Sequence, residues 1–182
     1  MNKLAIALSA ALAIGASFSA SAQSGTITFN GQITATTCQV TWPGSTGTAT
    51  DPIVTLPTVP TTALSGAEGK TAGKTPIALT IGADGTCAAS VAAIELNPNR
   101  DANQANGYLD NELTSGNAVG VQVALRDASD NPILIDTPWR SAEVAIGATG
   151  ARIDFAAEYR ASAASVDPGQ VSASVGYTID YK

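Results

Sequence analysis

Val171-Ser172-Ala173-Ser174-Val175-Gly176-Tyr177-Thr178-Ile179-Asp180-Tyr181 alternates apolar with small or polar residues from end to end. A period of two gives an extended chain one apolar face and one wet face, the pattern of a half-buried β-strand and not of a helix. The same period recurs upstream. Ile27, Phe29, Gly31, Ile33 and Ala35 alternate with Thr, Asn and Gln, and Ile77, Leu79 and Ile81 alternate with Ala78 and Thr80. Further runs are Ala92, Ile94, Leu96; Val119, Val121, Val123, Leu125; and Ile153, Phe155, Ala157, Tyr159, whose other face carries Arg152, Asp154, Glu158 and Arg160.

Turn signals separate these runs: Pro43-Gly44, Gly82-Ala83-Asp84-Gly85, Asn97-Pro98-Asn99, Asn106-Gly107, Ser115-Gly116-Asn117, Asp130-Asn131-Pro132 and Asp167-Pro168-Gly169. Asp127 to Asn131 reads as a hairpin connection leading into Ile133 to Ile135. One weak helical window, Thr61 to Gly69, carries glycines at 66 and 69 and has room for a turn or two. Many short strands with short connections and almost no helix predict an all-β, antiparallel, immunoglobulin-like sandwich. Trp42 stands four residues after Cys38 and beside Pro43, which departs from the core Trp set between two cysteines in immunoglobulin domains.

The 182 residues have room for one domain and a targeting segment, and 45% apolar against 13% charged residues predicts a packed core. Nine Lys and Arg against 15 Asp and Glu give a net charge of −6, which repels phosphate backbones and argues against nucleic-acid binding. The chain has no histidine, which removes Ser-His, Cys-His and His-metal arrangements.

Asn2-Lys3 followed by the apolar stretch Leu4 to Phe18 and then Ala20-Ser21-Ala22 reads as a secretory signal over residues 1–22, cleaved before Gln23. The apolar stretch is too short to span a bilayer, and no positive stop-transfer flank follows it. Export places Cys38 and Cys87 in an oxidising compartment, where one intramolecular disulfide is the simplest outcome. Their neutral flanks and the lack of other soft ligands argue against a reactive thiol or a metal site. Closing a loop of this length stabilises a fold by about 4 kcal/mol in the chain-entropy model.

A search for catalytic chemistry finds little. Asp154 and Glu158 fall on one strand face, but with Arg152 and Arg160 beside them they read as a solvated, salt-bridged exterior. Asp127 to Asn131 has the look of a calcium loop, yet Pro132 takes the glycine position and Pro138 the place of the bidentate Glu. No nucleophile elbow or phosphate-cradling loop occurs, so the chain reads as no enzyme, with no cofactor and no small-molecule substrate. Trp42, Tyr108 and Trp139 are the aromatics that a sugar would stack on if the chain were a free-standing secreted binding module.

Four stretches carry a family resemblance. Gly25 to Ile33 followed by Cys38 resembles the amino-terminal extension and first strand of type 1-like fimbrial pilins of the chaperone-usher pathway. Thr71-Ala72-Gly73-Lys74-Thr75-Pro76-Ile77 leading to Cys87 is similar to that family's second-strand approach, and Asn117 to Leu125 to its central strand. Gly169 stands fourteenth from the end, where the family places a glycine, ahead of an alternating strand with Tyr181 penultimate.

The resemblance implies a sandwich that lacks its last strand and is completed by a donor strand from a neighbouring subunit. It divides the chain into a signal (1–22), a donor-strand extension (23–35) and a pilin domain (36–182). Ile27, Phe29, Gly31 and Ile33 are then the donor residues, Gly31 fitting a shallow part of the groove. Read without the family, the same run is an ordinary edge strand with a bulge at Gly31. Gly169, Val175, Tyr177, Ile179, Tyr181 and Lys182 become the strand that meets a periplasmic chaperone. The implied partners are further copies of the chain, other pilin subunits, the chaperone and an outer-membrane usher, in a fibre that reaches the cell surface through the periplasm and serves adhesion and biofilm formation. A minor adaptor of the same fibre is the alternative role.

Overall fold

The computed structural model describes residues 38–97 and 106–182. The expected donor residues Ile27, Phe29, Gly31 and Ile33, the signal, and the Pro98-Asn99 part of one turn lie outside them. Twelve strands follow in order: β1 (Val40–Thr41), β2 (Thr46–Gly47), β3 (Pro52–Ile53), β4 (Thr71–Ile81), β5 (Val91–Asn97), β6 (Leu109–Asp110), β7 (Val121–Asp127), β8 (Pro132–Ile133), β9 (Trp139–Arg140), β10 (Val144–Ala145), β11 (Ala151–Ala161) and β12 (Gly176–Tyr181). The helical window yields one 3-10 turn, Thr61–Ala63.

Two antiparallel sheets face each other. The larger runs β1-β4-β11-β7-β6, with β8 also on β7, and the smaller runs β10-β5-β12, with β9 also on β5. β2 and β3 form a separate short hairpin. Ile77, Leu79 and Ile81 of β4 and Ile153 and Ala157 of β11 meet Ala92, Ile94 and Leu96 of β5 in one core, closed by Leu109, Val123, Leu125, Ile133 and Ile135. The disulfide Cys38–Cys87 ties the start of β1 to the turn after β4, as two cysteines in an exported chain predict. Val40 pairs with Ile81, so the bond clamps β1 to the end of its neighbour. The Asp127–Asn131 connection is a tight hairpin, with Asp127 N–H donating to Asn131 O at 2.9 Å and Asp130 at φ 67°.

Three sequence readings need correction. The Val119–Leu125 run does not begin at Val119, which is 55% exposed and outside β7. Gly120 turns the chain there at φ 75°, so the alternation starts afresh at Val121. The run Val171–Tyr181 is not one regular strand, because its first half hydrogen-bonds sideways to residues near β6 and only Gly176–Tyr181 forms a ladder with β5. Glu158 is not on a solvated face: it is 5% exposed and takes a 2.7 Å hydrogen bond from Arg126 Nε. Arg160, also largely covered, lies over the Tyr108 ring at 4.2 Å and donates to Gln122 Oε1. The Arg152–Asp154 pair does remain on the exterior.

Candidate functional site

β5 and β12 lie side by side, yet their apolar faces are covered unequally. Ala92, Ile94 and Leu96 of β5 are at most 3% exposed. Tyr181, Ile179 and Tyr177, which stand opposite or near them in register, are only half-buried, and so are Val175, Ala173 and Val171 leading into the strand. All six pack against the core without being covered by it. Among the described residues β12 pairs with β5 alone, so its outer edge presents main-chain donors and acceptors to no partner. An apolar strand with a bare edge is a template for another strand, and folded proteins usually guard against it.

Residues 54–59 supply the opposing rim. Val54, Leu56 and Val59 are half-buried and packed on the core, the intervening Thr55 and Thr58 are exposed, and none belongs to a ladder among the described residues. Contacts at both ends fix how the rims run. Tyr177 Oη donates to Ala49 O at 2.7 Å, and the Tyr177 ring meets Trp42 edge-on at a centroid distance of 5.2 Å. At the far end, Thr58 to Thr61 and Asp167 to Ser172 line one cleft of about 740 Å³, floored by Leu64, Val121, Tyr159 and Val166. Residues 49 to 59 therefore run antiparallel to residues 177 to 171, in contact at the Tyr177 end and parted by the cleft at the other.

Gly169 sits at the cleft end. A methyl group there would collide with the Asn117–Ala118 peptide, because the two backbones cross in contact and Gln170 bridges Asn117. Its role in the described residues is close packing, which makes the turn that feeds Val171 into the groove wall. Asn111 holds the same turn, its Nδ2 donating to Ala118 O and Gln170 O and its Oδ1 accepting from Ser172 N–H. At the opposite end Lys182 extends the ladder by one residue, its N–H donating to Val91 O and its carbonyl accepting from Val91 N–H and from Ser90 N–H at 2.7 Å. Its ammonium pairs with Glu143. Burial, and after it the neighbouring Tyr177, hold the Tyr181 phenol above its ordinary pKa, so it stays neutral and able to donate at physiological pH.

The aromatics picked out for sugar stacking are already engaged. Trp42 packs on Tyr177 and Phe155, Tyr108 lies under Arg160, and Trp139 packs against the core from β9. No group of three or more His, Cys, Asp or Glu able to hold a metal occurs among the described residues. Sequence reasoning found the half-buried strand but missed its opposite rim, since Val54, Leu56 and Val59 are interrupted by Pro57 and by threonines that read equally well as loop. The exposed polar face of residues 54–59 was the signal available.

Comparison with known proteins agrees along the whole domain. A family model described as fimbrial protein matches residues 27–182. The chain is 35% identical over 173 residues to the major fimbrial subunit SMF-1 of Stenotrophomonas maltophilia, covering 91% of this chain and 97% of that one. A solved structure of the Burkholderia pseudomallei antigen and type I fimbria protein BPSL1626 is 26% identical, with a TM-score of 0.52 over 80% of this chain and 100% of that one. The P pilus rod subunit PapA, 13% identical, shares the fold with a TM-score of 0.55 over 80% of this chain and 99% of that one.

Proposed function

The chain belongs to the fimbrial protein family and is a structural subunit that polymerises into a surface fimbria; we propose that it polymerises by strand donation, residues 23–35 of one copy filling the groove of the next. The observation that carries this reading is that, among the described residues, the outer edge of β12 is bare above six half-buried apolar side chains and is faced by an equally unpaired rim at 54–59. The space calls for an extended segment with apolar residues at every second position. Ile27, Phe29 and Ile33 have that spacing, and burying them contributes about 1.5–3 kcal/mol each before main-chain hydrogen bonds are counted. Gly31 leaves room where the groove is shallow.

The same bare edge needs cover before assembly. In this reading the subunit is exported with a signal at 1–22, held in the periplasm by a chaperone strand along β12, and passed to an outer-membrane usher. Val175, Tyr177, Ile179 and Tyr181 supply the surface that the chaperone strand covers, while Gly169 shapes the turn before it and Lys182 fixes the end of the strand. The test is a mature chain lacking residues 23–33, mixed with intact subunits. It should co-purify with the chaperone and accept an intact donor, yet form no ladder alone. Loss of folding on deletion, as expected of an ordinary first strand, would reject donation.

A further inference from the structure

The rim that faces β12 is not continuous. β1 ends at Thr41, the chain leaves the rim after Trp42 to form the β2–β3 hairpin, and it returns at Val54. Two residue pairs hold the hairpin, and its turn is closed by Thr48 N–H to Asp51 O and Asp51 N–H to Thr48 Oγ1. Residues 46 to 51 are all exposed. The tip nevertheless joins the two walls through one atom. Ala49 O accepts from Trp42 Nε1 at 3.0 Å on one side and from Tyr177 Oη at 2.7 Å on the other, with Thr50 O as a second, longer acceptor at 3.3 Å.

A strand laid along the outer edge of β12 must pass Tyr177. We infer that the β2–β3 hairpin is a strap that closes the groove at Tyr177 in the unoccupied subunit and is displaced as a strand enters, an inference that rests on the strand-donation reading. The strap suits removal. Its bonds to β12 are hydroxyl-to-carbonyl bonds near solvent, which water replaces at small net cost, and it contributes no fully buried side chain to the core. The Trp42–Tyr177–Phe155 ring cluster beneath it belongs to the wall and stays in place.

The test offers a labelled peptide of residues 23–36 to full-length mature subunits and follows heat-stable, peptide-bound subunit with time. Tyr177→Phe keeps the ring and removes the donor, so uptake should be faster by about two- to tenfold, the span of one net hydrogen bond. Trp42→Phe should accelerate uptake in the same direction. Hydrogen exchange adds a readout that a purely structural contact would not move: protection of the Thr48 and Asp51 amides should fall when the peptide binds. An unchanged or slower rate in Tyr177→Phe, or equal protection before and after binding, overturns the strap. No uptake by the wild-type chain overturns strand donation itself, and the strap with it. If Tyr177→Phe does not fold, replacing residues 48–51 by Asn-Gly withdraws the tip and must give the same acceleration.

Discussion

Glu158 shows what one residue's sequence context hides. Its neighbours Arg152, Asp154 and Arg160 predict a wet face, but a strand's own sequence does not show what lies across the sheet. Arg126 comes from β7 one register step away, and Tyr108 and Asn106 arrive from a loop to cover Arg160 and Gln122. Glu158→Gln keeps the shape and removes the charge, leaving Arg126 partly buried without its carboxylate. The variant should lose about 1–3 kcal/mol in urea unfolding, and an unchanged midpoint would mean that the pair contributes nothing. Asp130 has a different dependence. The Lys74 ammonium, by hydrogen bond and charge, holds its carboxyl below the ordinary value of 3.8. A depressed carboxylate stabilises above the unfolded value, and the gain is lost as pH falls through the folded one. Asp130→Asn, which tolerates the positive φ, should therefore melt slightly below the wild type at pH 6, and the difference should shrink as the pH falls through the lowered folded value of Asp130.

At the scale of elements, β4, β5 and β11 were legible because alternation over five to seven residues, as in Ile77–Ile81, Ala92–Leu96 and Ile153–Tyr159, is enough to name a strand and its buried face. Two-residue strands such as β9 and β10 were not, since they exist only through pairing with β5. The last run was half legible. Its apolar face was correctly placed, but the break at Gly176 depends on Asn111 and Glu112 drawing Ser172 and Ser174 toward the larger sheet, which no local pattern encodes. Gly169→Ala tests that turn: with a methyl forced into the Asn117–Ala118 peptide, the variant should be destabilised by about 1–3 kcal/mol and lose protection at the Gln170 amide. Tyr181→Ala tests the other end. Removing an aromatic side chain from the uncovered wall should lower the periplasmic level of the subunit and its recovery with a chaperone, whereas a normal level with chaperone bound would show that this residue is not an anchor.

For the whole molecule, the sequence made the sandwich legible and the family resemblance made the missing strand an expectation; neither composition nor periodicity shows a gap in a sheet. Among the described residues the gap becomes visible only when β12 is seen to pair on one side and its wall residues are compared with their covered neighbours on β5. The disulfide fixes the start of β1 to the turn after β4, so Cys87→Ser should lower the yield of folded subunit by an amount consistent with about 4 kcal/mol. Strand donation between copies is the central claim, and site-directed disulfide trapping tests it most directly. Subunits carrying only Phe29→Cys are mixed with subunits carrying only Ile179→Cys, assembled and oxidised. Donation predicts a covalent dimer of the two kinds that resists denaturant and is absent from either kind alone. A cross-link that forms only within a chain carrying both substitutions, and never between the two kinds, would contradict it.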